Sequence, residues 1–302
     1  MEMLRRDCPI CASSEGARTF AEANFDLAQL DGFAFASRKI PEYMHCRLQL
    51  CPRCGLLYAD PALAPGALAE AYREAAFDSG PEAGFAARTY ARVLKGFSGR
   101  LPDKAGTLDI GTGDGVFLGE LLKAGFTGVE GVEPSESPVA AAKPDIKPLI
   151  HLGIFKPGEY PAAKYSLVTC FQTLEHVPDP LGIAKDVLRV LKPGGAFYII
   201  SHNRLALSAK VLGKKSPIFD IEHLQLFSPQ SAKELFEKAG FTGVETKVVL
   251  NIYPLHYWIK MLPLPRALKP GLIRFLKAVG IGHLPLPMPA GNLAVVGFKA
   301  KN

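Results

Sequence analysis

Four cysteines near the start of the sequence are spaced for metal binding: Cys8-Pro-Ile-Cys11 and Cys51-Pro-Arg-Cys54-Gly55. A C-x-x-C turn lets two thiolates reach one ion, and two such turns complete a closed tetrahedral shell of four sulfurs. That is the arrangement of structural zinc, with no open position for a reacting ligand. A pair of disulfides is the competing reading. Spacing favours metal, as does a start with no apolar leader (Glu2, Arg5, Arg6 and Asp7 follow Met1), which points to a reducing compartment. Cys46 and His45 are rival ligands by position but belong to no second spaced pair. Cys170 follows the apolar run 165–169 and reads as a buried small hydrophobe.

A second constellation is built for binding. Thr107-Leu-Asp109-Ile-Gly111 reads as a buried strand, Gly111-Thr-Gly113-Asp-Gly115 as a turn, and Val116 to Lys123 as a helix. Strand, glycine turn and helix put backbone N–H groups and a helix N-terminus beside a ligand. The spacing G-x-G-x-G differs from the dinucleotide pattern G-x-G-x-x-G. A further apolar segment, 128–132, ends at Glu133, where a second parallel strand delivers a carboxylate to a ribose diol. An ordinary exposed strand end is the alternative for Glu133.

A third group can move protons. Glu175-His176 follows the apolar segment Tyr165–Phe171, His202 follows Ile200-Ser201, and His223 follows Glu222. An imidazole titrates near neutrality and suits a general base. His176 is the first candidate and His223 with Glu222 the second; each competes with a packing or loop-anchoring role. His45, His151, His256 and His283 have no such context.

The elements that must position these residues follow from periodicity. Leu181 to Leu191 reads as a helix and Pro193 to Ile200 as a turn and strand. Ser228 to Ala239 reads as a helix with Ser228 as N-cap, Pro229 at its first position and Gly240 after its end. Thr246–Ile252 and Asn292–Lys299 read as closing strands. Repeated βα units imply an α/β, doubly wound parallel sheet. Tyr43–Leu50 is expected to be a strand leading into the second cysteine turn. Between 61 and 100, Leu68, Ala71, Tyr72 and then Ala87, Tyr90, Ala91, Leu94 give two helices around a loop at Ser79, Gly80 and Pro81. They are placed to cap the ligand cleft, with Tyr72 and Tyr90 either reaching substrate or filling core.

Composition narrows the class. Hydrophobic residues at 48% against 21% charged exclude disorder as the main state, and no apolar run reaches the ~18 residues of a membrane span. The expected compartment is cytoplasmic. The net charge of +6 is uneven: from Thr246 onward there are eight Lys/Arg and no Asp or Glu, which points to an anionic partner. Arg204–Phe219 and Pro254–Pro289 mix Leu, Trp and Phe with cations. Such segments either rest on anionic lipid, placing the protein peripherally at the inner face of the membrane, or form a lid whose apolar face covers the core.

With these residues in place the sequence resembles the class I S-adenosylmethionine (SAM)-dependent methyltransferases. The resemblance rests on Leu-Asp-Ile-Gly-Thr-Gly-Asp-Gly (108–115), Gly-Val-Glu-Pro-Ser (131–135), Phe-Gln-Thr-Leu-Glu-His-Val-Pro-Asp-Pro (171–180) and Leu-Lys-Pro-Gly-Gly (191–195). Glu-His-Leu-Gln-Leu-Phe-Ser (222–228) is typical of the branch related to ubiquinone O-methyltransferases, and the cysteine module looks like that of sugar C-methyltransferases. The resemblance implies a Rossmann-like seven-stranded sheet with a small zinc ribbon: 1–60 zinc-binding, 61–100 helical linker or cap, 101–302 methyltransferase with a basic apolar insertion at about 254–290. It implies methyl transfer from SAM to an O, C or N nucleophile of a small-molecule, sugar or lipid-linked substrate. Asp109, Gly111, Gly113, Gly115, Glu133, Gln172 and Thr173 would bind the cofactor, and Cys8, Cys11, Cys51 and Cys54 the structural Zn2+. His176, Glu175 and His223 are the catalytic candidates, Glu175-His176 matching a pair that lies in the sugar enzymes' active site.

The sequence departs from the pattern in three places. No segment matches the extra C-terminal Rossmann-like domain of the sugar enzymes. The stretch His151-Leu-Gly-Ile-Phe155 lacks the acidic residue that meets adenine, and Ser166 stands where an Asp is common. The competing functions are an rRNA or other nucleic-acid methyltransferase, which the Gln-Thr-Leu-Glu-His segment disfavours, and a SAM-binding scaffold without catalysis.

Overall fold

The protein is described from a computed structural model, which covers residues 2–25, 44–73, 82–156, 158–261 and 268–301. The expected turn at Ser79, Gly80 and Pro81 lies outside these residues, as do Tyr43, Leu262 and Arg266.

The front of the chain forms β1 (Met3–Leu4), β2 (Arg18–Ala21), β3 (Leu48–Leu50), β4 (Leu57–Ala59) and β5 (Ala62–Leu63), then helices α1 (Pro65–Arg73) and α2 (Glu82–Lys95). The alternating part runs β6 (Ala105–Ile110), α3 (Val116–Lys123), β7 (Thr127–Glu133), α4 (Glu136–Ala141), β8 (Ile150–Leu152), β9 (Tyr165–Phe171), α5 (Pro180–Val190) and β10 (Leu191–His202). It continues through α6 (Leu207–Leu212), β11 (Gln225–Leu226), α7 (Pro229–Ala239), β12 (Thr242–Pro254), α8 (Leu255–Met261), α9 (Lys269–Ala278) and β13 (Pro285–Phe298).

Seven strands make one sheet in the order β12-β13-β10-β9-β6-β7-β8, with β13 antiparallel to both neighbours and the other pairings parallel. Strand order reverses between β6 and β9. Open α/β sheets bind ligands beyond the C-terminal ends of the strands at such a reversal. The segments after β6 (111–115), β7 (133–135) and β9 (172–176) therefore meet there.

Both sheet faces are covered, so the central strands are buried along their length: every residue of β9 from Tyr165 to Cys170 is buried. On one face Phe197 stacks on Phe236 of α7 at 5.1 Å; on the other Tyr198 meets Phe97, just past α2, at 5.2 Å. Each such ring contributes about 1.5–3 kcal/mol by burial. α7 begins as expected: Ser228 and Ser231 form a reciprocal capping box, Pro229 follows the cap, and Gly240 ends the helix at φ 102°. The closing strands are longer than their apolar cores suggest. Their pairing continues past the sheet from Asn251↔Met288 to Pro254↔Pro285, and α8 and α9 sit at the tip of this ribbon. No helix among the described residues is long and apolar enough to cross a membrane.

A second sheet, order β11-β4-β3-β2, carries the second cysteine turn between β3 and β4. Its β11 comes from the far end of the chain and pairs Gln225↔Tyr58 and Leu226↔Leu57. Arg6 reinforces the seam by donating to the Pro178 carbonyl and Gln225 Oε1, and Arg204 by donating to the Gly55 carbonyl at 2.8 Å.

Candidate active site and cysteine cluster

Gly111 leaves β6 at φ 72°, and a Cβ there would overlap the Thr173 hydroxyl, so only glycine lets the β6 and β9 termini approach. Gly113 is different: at φ 61°, a Cβ would stand in open space with no atom within 4 Å. The loop is thus packed from below and free above. Gly115 follows at φ 71° as the N-cap of α3. Asp109 is buried beneath the loop and accepts from Thr169 Oγ1 at 2.6 Å; burial pushes its carboxyl up to about 7. It supports the loop from inside the sheet.

Glu133 closes the cradle. Its Oε2 accepts from Gly113 N at 2.9 Å and its Oε1 from Ser135 N at 3.0 Å, tying β7 to the glycine turn. Burial raises its pKa above the ordinary carboxylate range, while the two backbone donors pull the other way. Each carboxylate oxygen keeps a lone pair for a further donor. Gln172 holds a strained φ of 51°, and its Oε1 is buried with no hydrogen-bond partner among the described residues. An open glycine turn, a carboxylate with spare acceptors and an orphaned amide oxygen fit the glycyl-loop, ribose and methionyl contacts of SAM.

The proton-moving candidates come together. His176 Nδ1 lies 2.7 Å from the Tyr72 hydroxyl and 3.1 Å from the Glu222 carbonyl, and Tyr72 Oη lies 3.2 Å from that same carbonyl. A carbonyl only accepts, so one arrangement pairs every group: Nδ1–H donates to Tyr72 Oη, and the phenol donates to Glu222 O. Burial and the nearby carboxylates of Glu222, Asp220 and Glu175 push the Tyr72 phenol well above its ordinary pKa, so it stays neutral. His176 Nε2 then carries the lone pair and has no hydrogen-bond partner among the described residues.

The His223 ring lies 4.9 Å from those of both His176 and His202. His223 is buried, with Nδ1 bonded to the Ile218 carbonyl at 2.9 Å, and reads as a wall of the cluster. Glu175 is fully buried; its Oε1 accepts from His202 N at 2.7 Å and lies 3.2 Å from His202 Nδ1. It anchors β10 to the β9 loop and does not open to the cleft. Tyr90 is buried against Phe171 at 4.9 Å and fills core.

Two positioning residues were missed by reading the sequence. Gln225 Nε2 donates to the Leu174 and Val177 carbonyls, bracketing the turn that carries His176. Ser135 Oγ donates to the Tyr72 carbonyl at 2.6 Å, linking α1 to the Glu133 turn. A lone Gln or Ser carries no spacing signal; only the fold brings them to these carbonyls. Ser166 lies at the other end of β9, where it donates to Asp103, so that departure from the methyltransferase pattern leaves the cleft untouched.

The four candidate zinc ligands also converge. The sulfurs of Cys8, Cys11, Cys51 and Cys54 all lie within 4.8 Å of one another, Cys8 and Cys54 at 3.6 Å. Zinc–sulfur bonds of ~2.3 Å in a tetrahedron set sulfurs about 3.8 Å apart, so the set fits one ion. The six cysteines form no disulfide. Cys46 stands apart, buried, its thiol pushed up to about 12, while His45 bonds the Cys46 carbonyl. Lys238 of α7 reaches the Ile10 carbonyl at 3.2 Å and Cys11 Sγ at 3.6 Å.

Glu133→Gln should weaken SAM binding about tenfold, equivalent to ~1.4 kcal/mol, because one charged acceptor becomes a neutral amide. Calorimetric titration checks this; an unchanged Kd would remove Glu133 from the ribose contact.

Comparison with known proteins places this geometry. A family described as "Methyltransferase domain" matches residues 83–246, more than half of the chain. The ubiquinone biosynthesis O-methyltransferase of Vibrio parahaemolyticus is 27% identical over 163 residues, covering 50% of this chain and 66% of that enzyme. The enzyme of the same name from Pseudoalteromonas translucida is 29% identical over 171 residues, covering 52% of this chain and 71% of the relative. The matched part thus spans about two thirds of the relatives' length. The crystal structure of the YcgJ protein from Bacillus subtilis shares the fold, with a TM-score of 0.50 at 16% identity over 71% of this chain and 99% of that one. The chain belongs to the methyltransferase domain family and is a SAM-dependent methyltransferase.

Proposed function

We propose that the enzyme transfers the SAM methyl group to a hydroxyl oxygen of a small-molecule acceptor, with His176 as general base. The observation that carries this reading is the hydrogen-bond chain from His176 Nδ1 through Tyr72 to the Glu222 carbonyl. It leaves Nε2 unprotonated beside the loop that holds the donor. SAM supplies a methyl carbon on a positive sulfur. The acceptor oxygen takes that carbon as the carbon–sulfur bond breaks, and His176 Nε2 receives the hydroxyl proton. The rest of the catalysis is alignment of three atoms. Gly111, Gly113, Gly115, Gln172 and Thr173 hold the methionyl side and Glu133 the ribose. Leu152, exposed and in register with Glu133, offers adenine an apolar platform in place of an acidic contact. The relatives' name as O-methyltransferases supports oxygen over carbon or nitrogen.

In the same reading Cys8, Cys11, Cys51 and Cys54 hold one structural zinc ion. Four sulfurs close its coordination shell, so no reaction step passes through it.

Methyl-labelled SAM with the pure protein and a cell extract split into RNA, lipid, polysaccharide and small-molecule fractions tests the acceptor class. Label is expected in the small-molecule or lipid fraction, released by reagents that cleave aryl or alkyl methyl ethers. Label confined to RNA would replace the reading with the nucleic-acid alternative, and a labelled carbon or nitrogen would overturn the oxygen assignment.

A further inference from the structure

Helix α9 turns an apolar stripe outward. Leu268, at its start, then Leu272, Phe275 and Val279 recur at i, i+4, i+7 and i+11 and so share one face. They are 63%, 37%, 62% and 51% exposed, while Leu276, off this stripe, is buried. A helix that only covered a core would turn such a stripe inward. The lid expected for this segment therefore accounts for Leu276 and leaves four large side chains in water. Ile281, Leu284, Leu286 and Met288 extend the exposed apolar surface beyond the helix.

The charge of the segment selects among occupants. Arg274 and Lys277 stand exposed on α9, and no Asp or Glu follows Glu245. Pairing with a second copy would bring two segments of the same positive sign together, with no carboxylate in 246–302 to neutralise them. A nucleic acid would engage the cations and leave Leu268 and Phe275 in water. An anionic bilayer satisfies both properties: its acyl boundary takes the stripe and its headgroups attract the cations. The short helix α6 repeats the chemistry, with exposed Leu207 and Val211 beside exposed Lys210 and Lys214.

We propose that α9 and the following 281–288 segment dock the enzyme on an anionic lipid surface, Leu268, Leu272, Phe275 and Val279 entering the headgroup–acyl boundary. This goes beyond the methyl-transfer reading and does not depend on which acceptor is used.

Flotation with vesicles tests it, comparing phosphatidylglycerol–phosphatidylcholine mixtures with pure phosphatidylcholine at low salt. The full chain should float with the anionic vesicles and be released by about 0.5 M salt. Two double variants, L272S/F275S and R274E/K277E, should each lose about tenfold in binding while keeping the parent's melting temperature and SAM affinity. Absence of binding to the anionic vesicles would overturn the proposal, as would full binding by L272S/F275S. So would a vesicle-free dimer that L272S/F275S converts to monomer, or retention on RNA but not on vesicles.

Discussion

Replacing His176 by Asn should lower kcat by roughly 10²–10⁴-fold, the contribution typical of a positioned general base. SAM affinity should stay within about threefold, because the glycine loop and Glu133 are untouched. The measurement is single-turnover methyl transfer on the best acceptor, beside a SAM titration and a melting curve of the same protein. Tyr72→Phe separates positioning from structure. It removes the oxygen that receives Nδ1–H, so kcat should fall by a smaller factor, about 3–30-fold, with KM and melting temperature little changed. A His176→Asn enzyme turning over at the parent rate would end the base assignment, and the cluster of His176, His202 and His223 would then stand as packing.

The second large effect is on stability. Cys51→Ser or Cys54→Ser should bring the zinc content from one ion per chain to near zero and lower the melting temperature by 10 °C or more. Structural zinc is worth on the order of 10 kcal/mol to a small module, and packing of Leu48, Leu57 and Ala59 with Ile218 and Leu226 retains part of the fold without it. Elemental analysis of the purified chain and melting curves with and without a chelator check both halves. A parent protein with no bound metal and a melting temperature indifferent to chelator would sink the zinc reading. Activity should fall with the metal although no ligand reaches the cleft. The route is β4, which pairs with β11, and Gln225 of β11, which holds the carbonyls on either side of His176.

Local chemistry made much of this molecule readable in its sequence. The apolar run of β9, the N-cap at Ser228 and the glycine turn at 111–115 are dictated by neighbours in the chain, and all stand where periodicity and turn residues put them. The cysteine cluster was legible for a related reason: two spaced pairs restrict a metal site to few geometries. The His176 environment was only half legible. Glu175 and His176 are adjacent in sequence, yet they turn to opposite tasks, one locked under β10 and one paired with Tyr72, and which is which depends on the turn after Phe171. Tyr72, Ser135 and Gln225 act through backbone carbonyls 48 to 150 residues away, and contacts of that range leave no mark in local pattern. The outward stripe of α9 was hidden differently: its spacing announces one apolar face, and only burial tells that the core takes Leu276 instead.

The pairing of β4 with β11 also bears on how such a chain can be inherited and recombined. A module that merely preceded the methyltransferase sheet could be exchanged by a single crossover near residue 60. Here Leu57 and Tyr58 are hydrogen-bonded across a ladder to Leu226 and Gln225, so a donor module must match a segment encoded some 170 residues downstream. Chimeras that swap the front sixty residues alone should fold poorly, and those that carry 222–228 with them should recover. Substitutions on the two sides of that ladder should therefore travel together through a lineage, making the cysteine module and the histidine loop one heritable unit.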